Sequence, residues 1–155
     1  MNDLDSKTEA EQLVAIKENG YSIRYIKDPS ERVQLAAVKR HGHSIQFIKN
    51  PSEQIQLAAV RDRGFNILYI TNPSEQIQLA AVKENGHSIQ YIQNPSESVK
   101  ISAVKKNGFS VFWIQNPSEN VQLAVIKQNA DSIKHIQNPC QAVKDYVLIH
   151  NIMVE

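Results

Sequence analysis

The sequence predicts an all-α solenoid, in which short helical repeats stack in a row, and three observations support this. A 22-residue unit recurs along almost the whole chain. Each unit starts with Asn-Pro-Ser-Glu or a close variant and continues with a helix-forming stretch such as Gln-Leu-Ala-Ala-Val-Lys. A short second segment with two apolar residues three apart then closes the unit. Two helices in so short a unit cannot form a core of their own, so neighbouring units must stack.

The copies align on the Asn-Pro-Ser-Glu start. Five regular copies span residues 28–49, 50–71, 72–93, 94–115 and 116–137. A degenerate copy occupies 6–27, and a truncated copy at 138–155 stops after its first helix. We therefore expect seven first helices and six second ones in a single repeat domain, 1–155. The terminal copies diverge most, as expected where an end repeat faces water instead of a neighbour.

The start of each unit has the chemistry of a helix N-terminus. In copy 72–93, Asn72 is predicted to be the N-cap and Pro73 the first helical residue, where a missing N–H is tolerated. Glu75 would then bond back to the cap. The helix is expected to run to Lys83, and Gly86 is predicted to terminate it in a left-handed conformation.

The apolar residues of this helix are spread around its circumference. At about 100° per residue, Ile77, Leu79 and Ala80–Val82 cover most sides, which predicts burial on several faces. Gln78 lies between them and is expected to be partly buried and hydrogen-bonded. A glutamine ladder could connect it to its equivalents in other copies, Gln12, Gln34, Gln56 and Gln122.

A short second element, His87–Gln93, completes the unit. Ser88 is a candidate cap, and Ile89 and Ile92 are expected to face the core. The element is short enough to be either an α-helix or a 3₁₀ helix. The next Asn-Pro ends it, because a residue before proline avoids helical geometry.

Composition excludes several classes of protein. No apolar run approaches the roughly 20 residues of a membrane span, and the polar start MNDLDSKTEAEQ is not a secretory signal. The single cysteine, Cys140, cannot form an internal disulfide, which favours a reduced, cytoplasmic setting. The net charge of +1 gives no general attraction to nucleic acid or membrane.

Two motifs carry a resemblance to known repeats. The run VQLAVIKQNADSIKHIQNP, 121–139, resembles leucine-rich variant repeats, which alternate an α-helix with a 3₁₀ or short helix in a right-handed superhelix. The pattern NPSE-x-[VI]-QLAAVKxNGxSIxYI is more closely similar to tandem repeats grouped as a domain of unknown function in bacteria, phages and giant viruses. The resemblance covers about residues 6–150. It implies a right-handed α-solenoid and, through kinship with HEAT-like repeats, a protein-binding role.

Copy 94–115 differs most in chemistry from the other copies. Phe112 takes a position that is usually polar, and Trp113 takes one that is usually Tyr or Phe. With Phe109 and Lys106 they form a candidate partner-binding patch, since aromatic anchors beside cations are typical interface hot spots. A second, weaker patch consists of Phe65, Leu68 and Tyr69. Alternatively, the ring at the sixteenth position of each copy is a hydrophobic staple, and the ring ladder Tyr25, Phe47, Tyr69, Tyr91, Trp113 is packing between repeats.

Charged residues also recur once per copy. A cationic ladder consists of Lys17, Lys39, Arg61, Lys83, Lys105 and Lys127. It could follow a phosphate backbone, or it could simply complement the negative ends of the helix dipoles. An acidic ladder at the opposite helix ends cancels its charge and weakens the nucleic-acid hypothesis: Glu9, Glu31, Glu53, Glu75, Glu97 and Glu119.

Nothing in the sequence has the pattern of a catalytic or metal site. The histidines are scattered, and His43 and His87 lie about two stacking steps apart, too far to share a metal. Cys140 replaces the usual serine at a helix start and has no His/Asp set beside it. We therefore expect no enzymatic activity, no cofactor and no metal.

The leading hypothesis is a non-enzymatic scaffold that binds another protein. The resemblance to phage repeats admits an inhibitor or decoy of a host protein. Nucleic-acid binding through the cationic ladder is the weaker alternative. Self-assembly is a third, because the end of the chain is unusually apolar and could cap the last core or form a dimer through Val147, Leu148, Ile149, Ile152, Met153 and Val154.

Overall fold

A computed structural model describes residues 4–150, and all regular structure in that range is helical. Ile152, Met153 and Val154 lie outside the described residues. Seven α-helices follow one another at the spacing of the repeat. They are α1 Glu9–Glu18, α2 Glu31–Arg40, α3 Glu53–Asp62, α4 Glu75–Glu84, α5 Glu97–Lys106, α6 Glu119–Gln128 and α7 Gln141–Ile149. The predicted all-α repeat architecture is confirmed.

The second element of each copy is a six-residue 3₁₀ helix, which decides between the two predicted alternatives. In the fourth of these helices the closing bond runs from the Ile92 N–H to the Ile89 carbonyl, three residues back, at 3.0 Å. The 3₁₀ helices are η1 Gly20–Tyr25, η2 Gly42–Phe47, η3 Gly64–Tyr69, η4 Gly86–Tyr91, η5 Gly108–Trp113 and η6 Ala130–His135.

Each repeat packs on the repeats before and after it. Helix α4 contacts α3 and α5 on its two sides, and it also contacts η3 and η4. The 3₁₀ helices contact their neighbours in the same order, so α-helices form one layer and 3₁₀ helices form the other. This is the arrangement of an α-solenoid.

The core is the seam between the two layers. In α4, Ile77, Ala81 and Val82 are fully buried, and Ile89 and Ile92 close the seam from the other layer. Equivalent residues are buried in the neighbouring repeats, so one core runs the length of the stack. Leu79 and Ala80 are only half-buried, so the α-layer is less enclosed than its apolar sequence predicts.

The helix start differs from the prediction by two residues. Ser74, not Asn72, is the N-cap of α4, and its Oγ accepts from the Ile77 N–H at 3.4 Å. Asn72 has a φ of 50°, in the left-handed region, and Asn50, Asn94 and Asn116 share this conformation. Asparagine suits this conformation because it tolerates left-handed backbone better than most residues. The prediction failed because asparagine is favoured both at caps and at left-handed turn positions.

The glutamate after the cap joins two repeats. Because Glu75 is the first residue of α4, it is not placed to close a capping box. The cap hydroxyl of Ser74 donates to Glu53 of the preceding repeat at 2.8 Å, and Ser52 donates likewise to Glu31 at 2.7 Å. Ser74 therefore caps its own helix and also bonds to the previous helix. Ser52 lies at the start of its helix and bonds to the previous helix in the same way.

Gly86 does not terminate α4 in a left-handed conformation, because no described glycine has a positive φ. Its role is close approach between repeats. A Cβ at Gly86 would lie 2.5 Å from the carbonyl oxygen of Ala103 and 2.7 Å from Ser110 Oγ. At the corresponding place in the copy 116–137, the chain carries Ala130. Ala130 is half-buried, whereas Gly86 is buried, so this position is less enclosed.

Two further polar predictions are corrected. Gln78 is half-buried and hydrogen-bonded as expected, but its amide donates to the Pro73 carbonyl of its own repeat at 2.9 Å, not to a glutamine ladder. The cap of η4 is Asn85, whose side chain accepts from the His87 N–H, and not Ser88. The hydroxyl of Ser88 is buried and lacks a hydrogen-bond partner.

The two ends of the stack close differently. Thr8 caps α1 in a capping box with Glu11, and the hydrogen bonds from Thr8 lower the pKa of the Glu11 carboxyl. Glu11 occupies the position at which α4 has the buried Ile77, so the first helix ends the core with a polar residue. At the other end, α7 exposes Leu148 and Ile149.

Gly86→Ala should destabilise the protein by about 2 kcal/mol or more, because the new Cβ would overlap a backbone carbonyl that cannot move freely. Ala130→Gly, at the uncrowded equivalent position, should change the free energy of unfolding by less than about 1 kcal/mol. Denaturant unfolding measures both. Equal effects of the two variants would show that crowding between repeats is not the reason for glycine.

Asn72→Ala should lower the free energy of unfolding by about 1 kcal/mol, because alanine is strained at a left-handed φ. Asn72→Gly should leave it within about 0.5 kcal/mol of the wild type, since glycine adopts this conformation without strain. Thermal and denaturant unfolding compare the two, with the exposed Gln76→Ala as a control. A larger loss for glycine than for alanine would contradict the backbone assignment.

Candidate functional site

The patch predicted in copy 94–115 lies on the outer side of the 3₁₀ layer. Phe112 and Trp113, at the end of η5, have 59% and 52% of their surface exposed. Phe109 is also exposed, at the start of the same 3₁₀ helix, and Lys106 is the exposed last residue of α5. We call Phe109, Phe112 and Trp113 the aromatic patch. Phe112 is therefore accessible, as a role in partner binding requires.

A histidine of the next repeat supports this patch. The ring of His135 lies 4.2 Å from that of Phe112 and 5.4 Å from that of Phe109, centroid to centroid, in tilted geometry. His135 was not among the residues predicted for this patch. It is the twentieth residue of its copy, where Tyr69 and Trp113 stand in others, and this equivalence was the available signal.

Four of the contacts between rings along the 3₁₀ layer follow one rule. The sixteenth residue of one copy meets the twentieth residue of the next. Phe65 meets Tyr91 edge-on at 5.8 Å, and Tyr21 meets Phe47 edge-on at 6.5 Å. The ladder therefore includes packing between repeats, as one of the two interpretations predicted. Its rings nonetheless remain accessible, since Tyr91 is 44% exposed.

A groove borders the aromatic patch. It encloses about 720 Å³ between the last residues of η5 and those of η6. Phe112 and His135 line it together with the connecting segments, including Gln115, Pro117 and Asn138. The groove thus combines an exposed aromatic ring with polar residues, and Trp113 lies next to it in the chain.

The second predicted patch, Phe65, Leu68 and Tyr69, is less continuous. Leu68 is 46% exposed, but the ring of Phe65 packs toward the next repeat. Tyr69 is half-buried and its hydroxyl lies 3.0 Å from Nε2 of His43 in the preceding repeat. Leu68 is therefore the most exposed residue of this patch, and the two rings serve mainly to join repeats.

A chain of polar side chains explains why Tyr69 is held. Asn66 donates from Nδ2 to the Ala59 carbonyl at 2.9 Å, which orients its Oδ1 toward Nδ1 of His43 at 3.2 Å. Nδ1 therefore donates to Asn66, and Nε2 lies within hydrogen-bond distance of the Tyr69 hydroxyl. Asn66 replaces a serine that is buried without a hydrogen-bond partner in four other copies, and it fills the same space with satisfied hydrogen bonds.

The remaining candidate groups have structural contacts. His41 accepts from the Gly20 N–H at 3.2 Å, and His87 lies 3.0 Å from the Asn107 amide. Cys140 is half-buried at the start of α7, and its N–H donates to Gln122 at 2.8 Å. Among residues 4–150, no three His, Cys, Asp or Glu side chains are grouped so that they could hold a metal ion.

The two charged ladders lie on the exposed side of the α-layer. All six cations and all six glutamates are exposed. Between α3 and α4 they border a second groove of about 590 Å³, with Leu57 and Leu79 in its wall, Arg61 and Lys83 on one side and Glu75 on the other. The acidic row thus accompanies the cationic row along the same face, which disfavours a continuous phosphate-binding track.

The fold and these surfaces define the class of protein: an α-solenoid built from 22-residue helical repeats. Comparisons with protein-family models, curated proteins and solved structures gave no match. None of the helices in the described part of the chain is long and apolar enough to cross a membrane.

Proposed function

We propose that the protein is a non-enzymatic scaffold that binds another protein through the aromatic patch. The exposure of Phe112 and Trp113 carries the proposal, because two large rings side by side on a surface are costly unless a partner covers them. Aromatic residues of this kind contribute most of the binding energy at protein interfaces. The groove beside them can receive a side chain of the partner.

The charges around the patch favour a partner with an acidic rim. Lys106 lies at the end of α5, and Lys134 lines the groove on the side of η6; both are exposed. Cations at the edge of an interface mainly steer association and select orientation. A partner with an apolar or aromatic side chain for the groove and carboxylates around it would match this surface.

The setting of this activity is part of the proposal. The resemblance of the repeats to those of bacteria and phages supports a cytoplasmic protein that inhibits or mimics a target of a host cell. The exposed patch supports binding but does not distinguish an inhibitor from an assembly scaffold. Identification of the partner distinguishes them.

Phe112→Ser should abolish partner capture while leaving the fold intact. A side chain that is 59% exposed contributes little to folding, so the free energy of unfolding should fall by less than about 1 kcal/mol. Partner affinity should fall about 30-fold or more, as for a hot-spot residue. Immobilised protein would capture partners from a lysate of the encoding organism, and quantitative mass spectrometry would compare wild type with variant.

Tyr25→Ser is the matched control, because Tyr25 is 51% exposed and belongs to the same ring ladder four copies before Trp113. It should capture the same partner as the wild type. Trp113, the single tryptophan, reports binding directly, since its emission should shift to the blue when the partner covers it. Equal capture by Phe112→Ser and wild type, or an unshifted emission in the complex, would overturn the proposal.

Self-assembly is a second candidate, supported by the exposed end of α7. Leu148 is 73% exposed, whereas Val82 and Val104, at the equivalent position, are fully buried by the surrounding repeats. Glu11 makes the opposite end polar, so a head-to-tail contact would place apolar on polar surface. A symmetric tail-to-tail dimer through two α7 helices is the arrangement that would cover both apolar ends.

Leu148→Glu combined with Ile149→Glu should keep the protein monomeric at all concentrations, because four carboxylates would then meet in the dimer contact. Analytical ultracentrifugation at low and high protein concentration gives the masses. The control is Val14→Glu, which changes an apolar residue at the other end that is 59% exposed. A monomeric wild type at high concentration would exclude this dimer, and a dimer that survives both glutamates would place its contact elsewhere.

A further inference from the structure

The outward face of the α-layer has a regular pattern that the aromatic patch does not involve. In α4, Glu75, Leu79 and Lys83 are spaced by four residues, so they lie in line on one face of the helix. Glu75 and Lys83 are exposed, and Leu79 is half-buried between them. Their Cα atoms span about 12 Å along the helix, from the acidic to the basic residue.

The same three chemical types recur in line on each of the first six α-helices. The first and last members are the acidic and cationic ladders already named, which we call the acidic rail and the basic rail. The middle members form an apolar row, half-buried throughout, of Leu13, Leu35, Leu57, Leu79, Ile101 and Leu123. Because the helices stack side by side, the three rows run parallel along the solenoid.

The groove between α3 and α4 shows that the rows form one surface. Leu57 and Leu79 line it together with Arg61 and Lys83 from the basic rail and Glu75 from the acidic rail. Gln76, Ala80 and Glu84 also line this groove, along a second line that varies in charge between copies. The constant elements are therefore an apolar floor with opposite charges on its two sides.

The acidic rail is held in position. One carboxylate oxygen of Glu53 accepts from Ser74, and one of Glu31 accepts from Ser52, in each case from the following repeat. A carboxylate fixed in this way loses less conformational freedom on binding than a free surface glutamate does. The rail is thus prepared for contact with cations of a partner.

We propose that this face binds an amphipathic α-helix of a partner protein, with basic residues along one edge of its apolar stripe and acidic residues along the other. A helix is about 10–12 Å wide, which matches the distance between the rails. Its apolar residues at i and i+7 are about 10.5 Å apart, close to the roughly 8–10 Å between packed helices. Leucines of the partner would enter successive grooves between α-helices.

Charge complementarity selects this occupant over others. A purely basic helix would be repelled by the basic rail. A nucleic acid would be attracted by the basic rail but not by the acidic rail. A purely acidic helix would be repelled by the acidic rail. Only a helix with opposite charges on its two edges satisfies both rails at once.

Three synthetic peptides test the proposal, each of about 21 residues so that it spans about 32 Å, or three to four repeats. All carry the same leucine stripe and a covalent staple that equalises their helicity. One has lysines on one edge and glutamates on the other, one has lysines on both edges, and one has glutamates on both. Fluorescence anisotropy should show that the two-sign peptide binds the wild type about tenfold more tightly than either single-sign peptide.

Reversal of the basic rail should change this preference. With Arg61→Glu and Lys83→Glu together, both rails are acidic around the groove, so the all-lysine peptide should become the tightest ligand. The control is Lys27→Glu with Lys49→Glu, which alters net charge equally at exposed positions outside the α-layer. It should keep the wild-type ranking, as should Phe112→Ser, since the aromatic patch is a separate surface.

Circular dichroism of each variant would check that it remains folded. The proposal is overturned if none of the three peptides binds, or if the wild type does not prefer the two-sign peptide. It is also overturned if Arg61→Glu with Lys83→Glu leaves the ranking unchanged, or if the control pair changes it in the same way. Failure here would leave the aromatic patch untouched as a binding surface.

Discussion

The close approach between each glycine and the following repeat sets the geometry on which the rest of the protein depends. The backbone at Gly86 lies against the carbonyl of Ala103 and the hydroxyl of Ser110, with no room for a side chain. This contact fixes how far the next α-helix and the next 3₁₀ helix lie from their neighbours. Because each of the five glycines is crowded by atoms of the following repeat, the spacing recurs from copy to copy and equivalent residues form rows.

The buried seam follows from that spacing. Ile77, Ala81 and Val82 can be fully buried only if two neighbouring helices approach α4 from both sides. Alanine in the seam keeps the helices near enough for the serine of one repeat to reach the glutamate of the previous one. The polar bonds between repeats are therefore a consequence of apolar packing, and they order surface side chains that packing alone would leave mobile.

The sequence was sufficient to predict the fold because every repeat packs on its neighbours in the same way. The same pattern of buried residues therefore occurs several times along the chain. The period, the order of helices and the core positions Ile77, Val82 and Ile89 were all correctly derived. The errors concern residues whose type suits two roles. Asn72 has the chemistry of a cap and of a left-handed turn, and Gly86 suits a left-handed end and a crowded contact. Contacts with the neighbouring repeat determine which role such a residue takes. The sequence of a single unit does not include those contacts.

The candidate sites divide in the same way. Exposure of Phe112 could be predicted, because an aromatic residue stood where other copies are polar. The contribution of His135 was missed, although it occupies the position of the ring ladder, because the contact crosses from one repeat to the next. The charged ladders were visible in the sequence, yet their significance as two edges of one apolar row depends on Leu79 remaining accessible, whereas the helix pattern predicted that it would be enclosed.

Constant and variable positions therefore define two kinds of surface on one solenoid. The α-layer repeats the same acidic, apolar and basic line, so the recognition that we propose for it would depend on periodicity and improve with the number of repeats engaged. The 3₁₀ layer varies from copy to copy, and its most apolar residues are concentrated at Phe112 and Trp113. A long partner helix on the α-layer could bind in more than one register along the solenoid. Contact between the same partner and the aromatic patch, which lies in copy 94–115, would fix that register.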